Sequence, residues 1–416
     1  MFTHADSVRG LLYELRRAHH CRDAELTDAG IRALAGMPAA VVEREVEGIL
    51  LGRVDSLWSA GWQPAELRRQ ARNGCATAAS ARLIGIAIAV DHARRRAASL
   101  DSRWIAQVDS LGLPVVNARA GWVRGWVRDE GLDWADALRR FTDVLGNVLH
   151  LPQLDPVLPR PGIAGGPPRV AGAARPGRAA GAGTNPRLER IRGLLAKAES
   201  STFEAEAAAF TAKAQEMMTR HAIDAALVHG QSAPDRQQPV AVRVPIDAPY
   251  ADAKSLLLQT VAHAGRCRSF AMDGLAMSTV VGYPDDVDGV EMLFTSLLLQ
   301  AQSALADDAK HAPAGTRTRS QSYRSAFLLA YTTRIGIRLD EINDAVYAQV
   351  NAEKGSAFLP VLRSRSEAVD DYVSRQYGDL TDSHVRGGYD AAGWASGHAA
   401  GQNAQLNSGD LAATGT

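Results

Sequence analysis

Between Leu151 and Pro186 the chain reads LPQLDPVLPRPGIAGGPPRVAGAARPGRAAGAGTNP, with four Arg and one Asp. A stretch so rich in Pro, Gly and Ala buries too little apolar surface to offset the entropy of ordering it. It is expected to be a flexible linker over residues 151–186, and it forbids one continuous core. A chain of 416 residues has room for two or three domains. The expected arrangement is a helical N-terminal domain over 1–150, a helical hairpin over 187–230, an α+β domain over 239–380 and a Gly/Ala-rich tail over 381–416. The fold class is therefore mainly α, with a small antiparallel sheet in the C-terminal half.

Helical periodicity dominates the first 150 residues. Val41, Val42, Val46, Ile49, Leu50, Val54 and Leu57 form one apolar stripe. Gln63-Pro64 opens a second helix, Thr77–Arg96 forms another, and Leu132–Leu149 a further one. Trp104, Trp122, Trp126 and Trp134 are expected to pack between helices. Arg68, Arg69, Arg72 and Arg94–Arg96 are expected to lie on solvated helix faces.

After the linker, Leu188, Ile191, Leu194, Leu195 and Ala198 make a helical stripe opened by Asn185-Pro186. Ser200-Ser201-Thr202 stops it, and Ser201 with Glu204 has the spacing of a capping box for a second helix. In that helix Phe203, Ala207, Phe210, Ala214, Met217 and His221 form a heptad-like seam. Arg190-Ile191-Arg192, Leu194-Leu195, Ala198-Glu199, the run Glu204–Ala209 and then Met217-Met218 through His221-Ala222-Ile223-Asp224 follow one another in fixed order. In these residues the stretch resembles domain-of-unknown-function family 2786. One departure is Ala222, where the family pattern has Gly. The region after residue 245 also looks like the sequence that follows this domain in bacterial and phage relatives. The resemblance implies a fold neighbourhood and no particular activity.

Strands and helices mix in the remainder. Pro239–Ile246 alternates like a strand, and Ala251–Ala264 is helical. Arg266–Met272 and Leu275–Tyr283 read as a β-hairpin across Asp273-Gly274. Long helices are expected from Pro284 to about Ala306 and from Ser322 to Val350, with the helices on one face of the sheet. Ala357–Leu362 reads as an edge strand holding Pro360, followed by a helix from Ser366 to about Arg375. Gly393, Gly397 and Gly401 would strip one face of a terminal helix to bare backbone, suited to close packing against the body of the protein.

Composition limits the function classes. Lys+Arg and Asp+Glu both number 46, so the whole chain has no general attraction for nucleic acid or anionic membrane. No apolar run approaches the length of a membrane span, and MFTHADSVRG lacks a signal peptide's apolar core. The expectation is a cytoplasmic protein with no membrane partner. Cys21, Cys75 and Cys267 are odd in number and widely spaced, which argues against a disulfide framework.

Two clusters are candidates for chemistry. Arg324, Tyr331, Arg334 and Arg338 fall along one edge of a helix, and an Arg edge beside an aromatic suits phosphate contact with base stacking. Arg187, Arg190 and Arg192 extend this nucleic-acid reading to the hairpin. Asp285, Asp286, Asp288 and Glu291 group near a helix start, beyond His263 and Cys267, and are the second candidate, a divalent-metal set. Acids in a helix's first turn are equally what its dipole favours, and no metal site is assigned. No catalytic motif is present, and no cofactor is expected. The leading expectation is a non-enzymatic binding or adaptor protein associated with nucleic acid. The alternatives are a metal-dependent hydrolase and a scaffold that meets a protein partner through the hairpin seam.

Overall fold

Short polar side chains start four of the eight helices described in the N-terminal half, each accepting a hydrogen bond from an otherwise unpaired first-turn amide. The computed structural model describes residues 4–96, 99–116, 121–161, 190–191, 194–195, 213–224, 238–311, 316–378, 380–381 and 390–404. The chain divides into two compact units, with the division falling within residues 172–182. The first carries α1 (His4–His20), α2 (Ala24–Ala35), α3 (Ala39–Ser59), α4 (Pro64–Gly74), α5 (Ala78–Arg94), α6 (Ser102–Ser110), α7 (Trp122–Asp129) and α8 (Trp134–Val148). Asp23, Thr77, Asp101 and Asp133 cap α2, α5, α6 and α8. The helix α7 lacks such a cap. Two buried acids of α3 replace it: Glu47 Oε1 accepts from Gly121 N and Val123 N, and Glu43 Oε1 accepts from Arg124 N.

Trp104, Trp122 and Trp126 are buried, as their sequence setting predicts, and Trp58 meets Trp104 edge to face at 4.9 Å. Trp58 Nε1 donates to the buried Asp91, which also takes Arg95 Nε at 2.8 Å. Arg95 is thus an internal tie and not a solvated charge. Ordered packing also runs past residue 150, where the linker was expected to begin. Leu154 and Leu158 are buried, Leu154 N donates to Ala60 O, and Trp62 Nε1 donates to Pro152 O. Two Leu side chains and two backbone anchors suffice to order this first piece. The rest of the linker, 162–186, lies outside the described residues.

In the second unit, helix α9 covers 213–224. It is followed by β1 (Val240–Pro245), α10 (Ala251–Ala264), β2 (Arg268–Met272), β3 (Met277–Gly282), α11 (Pro284–His311), α12 (Gln321–Lys354), α13 (Phe358–Tyr377) and α14 (Ala391–Asn403). The sheet is antiparallel in the order β1-β3-β2. The hairpin turn is longer than the expected Asp273-Gly274 pair. Met272 faces Met277 across four residues, with Gly274 and Ala276 at positive φ, because the inward-facing Leu275 is buried in the loop.

Every residue of β3 is buried, so both faces of the sheet are covered. On one face Ser255 of α10 meets Ser278, and Leu257, Leu258 and Val261 join Val244 and Val280 in the core. On the other, Phe270 packs edge-on against Tyr377 and Arg268 pairs with Asp370, both partners belonging to α13. This corrects the one-sided sheet. It also corrects the strand over Ala357–Leu362, which is the first turn of α13. Proline is tolerated there because first-turn amides have no helical acceptor. Phe358, Leu362, Val369 and Val373 then face inward at helical spacing.

The Gly-rich segment is a helix laid on α12. A Cβ at Gly393, Gly397 or Gly401 would collide with backbone or Cβ atoms of Tyr323, Phe327, Tyr331 and Arg334. Only glycine lets the two backbones approach so closely. Residues 390–404 therefore belong to the body of the second unit and not to a tail. We predict that Gly397→Leu costs this unit about 1–3 kcal/mol or more through overpacking. Its calorimetric transition should fall by about 2–4 °C per kcal/mol. Ala399→Leu, on the exposed side of the same helix, should leave that transition unchanged.

Candidate functional site

The expected nucleic-acid edge of α12 is turned inward. Tyr331 is 1% exposed and its hydroxyl donates to Leu297 O at 3.1 Å. Arg338 is 2% exposed and its Nη1 donates to Gly401 O at 2.9 Å. Arg334 Nε donates to Gln402 Oε1, and its Nη1 lies 3.8 Å from Glu341. Both arginines therefore grip the last turn of α14, whose free carbonyls carry the negative end of the helix dipole. Burial lowers the Arg338 pKa to about 10, and the neighbouring Arg334 charge adds to the fall. Arg324 is half-buried, with Nε on Thr318 O, and Arg190 is exposed. Arg187 and Arg192 lie outside the described residues. Tyr331 and Arg338, half of the predicted α12 edge, are closed to a ligand.

The metal set is not assembled either. Among the described residues no group of three or more His, Cys, Asp or Glu side chains is placed to hold a metal. Asp286 is committed to Arg266, Asp285 stands near His221, and neither Asp288 nor Glu291 lines a shared cleft with them. His263 is exposed while Cys267 is fully buried, so that pair does not form a site. Cys75 offers no nucleophile: burial and the neighbouring Asp143 push its thiol up to about 12.

A different cleft forms where α9 meets the end of α10 and the start of α11. Ile191, Gln215, Met218, His221, Gly265, Arg266, Asp285 and Asp286 line it. Its position follows from local sequence. Ala214, Gln215, Thr219, Ala222 and Ile223 face inward along α9. Ile191, Leu195 and Ala214 enter the core of the α+β domain, and Ile223 packs with Val346, Val350 and Phe358. The described part of the hairpin seam is thus spent on its own unit. Met217 packs against that same core while staying partly exposed, and His221 lines the cleft. Phe203, Ala207 and Phe210 lie outside the described residues.

Arg266 closes the C-terminal end of α10 in the left-handed region, φ +59°, the conformation that turns the chain out of a helix. Its guanidinium reaches Asp286 Oδ1 and the Tyr347 hydroxyl, each at 3.3 Å. Burial alone would lower its pKa; the Asp286 charge and the Tyr347 contact outweigh that and hold it above the ordinary range. Asp285, on the adjacent first-turn position, stays 42% exposed, with His221 Nε2 at 3.9 Å, beyond hydrogen-bond reach.

The back of the cleft is an amide chain. Asn343 Nδ2 donates to the backbone oxygen of Ala264 at 3.0 Å, which can only accept. Asn343 Oδ1 therefore faces α9, accepting from Thr219 Oγ1 at 2.7 Å and Gln215 Nε2 at 3.1 Å. This fixes the orientation of the Gln215 amide. Its Oε1 is then left buried without a hydrogen-bond partner, although the residue is 1% exposed. Such an orphan acceptor costs about 1–3 kcal/mol unless something donates to it.

Sequence reasoning named Asp285, Asp286 and His221 but gave them other roles, and it missed Gln215 and Arg266. A signal existed for Gln215: an amide on the inward stripe of a helix otherwise lined by Ala, Met and Thr. None existed for Arg266, whose role depends on a chain reversal. We predict that Arg266→Met, which strands the buried Asp286 carboxylate, destabilises the second unit by about 3–5 kcal/mol. Asp285→Asn, at an exposed position, should cost under about 1 kcal/mol in the same denaturant titration.

No curated protein and no solved structure matches this chain. Residues 188–225, which include the α9 wall of the cleft, match the family model described as protein of unknown function (DUF2786).

Proposed function

We propose that this is a non-enzymatic binding or adaptor protein whose ligand seat is the cleft between α9, the end of α10 and the start of α11. One observation carries the reading. Gln215 lines the cleft, and its Oε1 is buried, held in a fixed orientation and unpaired. Around it stand an exposed carboxylate, a half-buried imidazole and an ion pair already satisfied by its own partners. That combination suits recognition of a small polar group, with fixed acceptors and little charge left to reorganise.

Nucleic-acid association is the second reading. Its support is the exposed Arg190 and the half-buried Arg324, since Tyr331 and Arg338 are core residues. Both readings meet in one experiment on the full chain. Thermal shifts would be recorded with amino acids, amines, mononucleotides and short peptides, and anisotropy with single- and double-stranded DNA and RNA across salt concentrations. The cleft reading predicts that a small ligand stabilises the second unit, by about 2.7 kcal/mol at one hundred times its Kd, and that Asp285→Asn abolishes the effect. Salt-dependent nucleic-acid binding unaffected by Asp285→Asn and lost in Arg190→Glu/Arg324→Glu would overturn it in favour of the second reading.

A further inference from the structure

Resting on the cleft reading, the geometry points to a primary alkylammonium as the group this cleft takes. The first argument is polarity. The hydrogen-bond chain from Ala264 O through Asn343 ends in Gln215, a lining residue whose buried oxygen is left without a donor, so a donor is the group that would complete it. Charge is the second. Arg266 is committed to Asp286 at 3.3 Å, so among the described residues the Asp285 carboxylate, with His221 Nε2 at 3.9 Å, is the charge on the rim with no hydrogen-bonded cation. A positively charged donor is favoured there over a neutral one, and an anion is disfavoured.

Size and shape supply the third argument. The space inside the cleft is about that of one water molecule, a fit for a compact –NH3+ head. Ile191 and Met218 share the lining, and they provide apolar surface for the methylene stem behind such a head. The group can reach the cleft as the side chain of a partner protein's lysine or as a free alkylamine, and the chemistry recognised is the same.

The test uses the full chain, with thermal shift and titration calorimetry as readouts. The probes are n-butylammonium chloride, a lysine-containing peptide and the same peptide with its lysine acetylated. Tetramethylammonium chloride and NaCl at equal ionic strength are the controls. The expected result is a saturable rise in Tm with butylammonium and with the lysine peptide, at least tenfold weaker with the acetylated peptide and absent with either control. Both Gln215→Leu and Asp285→Asn should lose it. The second variant keeps the test valid if the first fails to fold, because Asp285 is exposed and outside the amide chain. Tighter binding of the peptide than of butylammonium assigns a protein lysine; the reverse order assigns a free amine. An equal response to tetramethylammonium or NaCl, or a response that survives in Asp285→Asn, would overturn the proposal. So would silence from both amines. Silence from the amines together with an Asp285-dependent shift from an amino acid or nucleotide would remove the ammonium assignment alone. Silence from every small ligand would remove the cleft reading with it.

Discussion

The second unit depends on one close contact, the seating of α14 on α12. Three glycines at every fourth position bring two helix backbones together, and no side chain lies between them. At that distance the last turn of α14 falls within reach of α12, where Arg338 donates to the Gly401 carbonyl and Arg334 to the Gln402 side-chain oxygen. Tyr331 lies beneath and closes onto Leu297 of α11. Asp308 ties the other end, accepting from Tyr323 of α12 and from Ser396 of α14. Helices α11, α12 and α14 are thus joined by backbone proximity at the centre and by polar contacts at both ends. Arg338 Nη1 is tied to the last turn of α14, while its Nε is buried without a hydrogen-bond partner.

This contact explains why the arginine edge of α12 misleads a reader of the sequence. Four cationic or aromatic residues on one helical edge do attract a polyanion-like surface. Here Arg338 meets the last turn of a helix about sixty residues further along the chain, and Tyr331 meets α11, long-range pairings that no local pattern encodes. Much else was legible. The helical periods of the N-terminal unit, the antiparallel sheet, the Trp packing and the close-packing glycines all follow from residue spacing. What failed were places where tertiary context overrode a local preference. Pro360 suits an edge strand and equally a helix's first turn, and Phe358 and Leu362 decide between them by burial. Leu154 and Leu158 anchor a segment whose Pro content alone suggests a linker. Glu43 and Glu47, to which the sequence pattern assigns no role, cap α7.

The cleft was partly legible for the same reason. Asp285 and Asp286 are adjacent and chemically alike, yet one is spent on Arg266 and the other faces solvent near His221. Only the chain reversal at Arg266 separates their roles. Gln215 shows how a polar residue on an apolar stripe gains meaning from its neighbours. Asn343 and Ala264 fix which end of the amide is satisfied, and the unsatisfied end is what a ligand would meet. The residues matched by the family model supply one wall of this site, and the rest of the unit supplies the others. The described residues of the matched segment pack into the core of the second unit.

The central claim is that α14 completes the core of the second unit by covering the arginine edge of α12. Amide hydrogen exchange on the full chain and on a chain ending at residue 389 tests it most directly. The account predicts that loss of α14 strips protection from residues 323–338 of α12 and from the facing turns of α11, while the N-terminal unit exchanges as before. Unchanged protection across residues 323–338 in the shortened chain would contradict it.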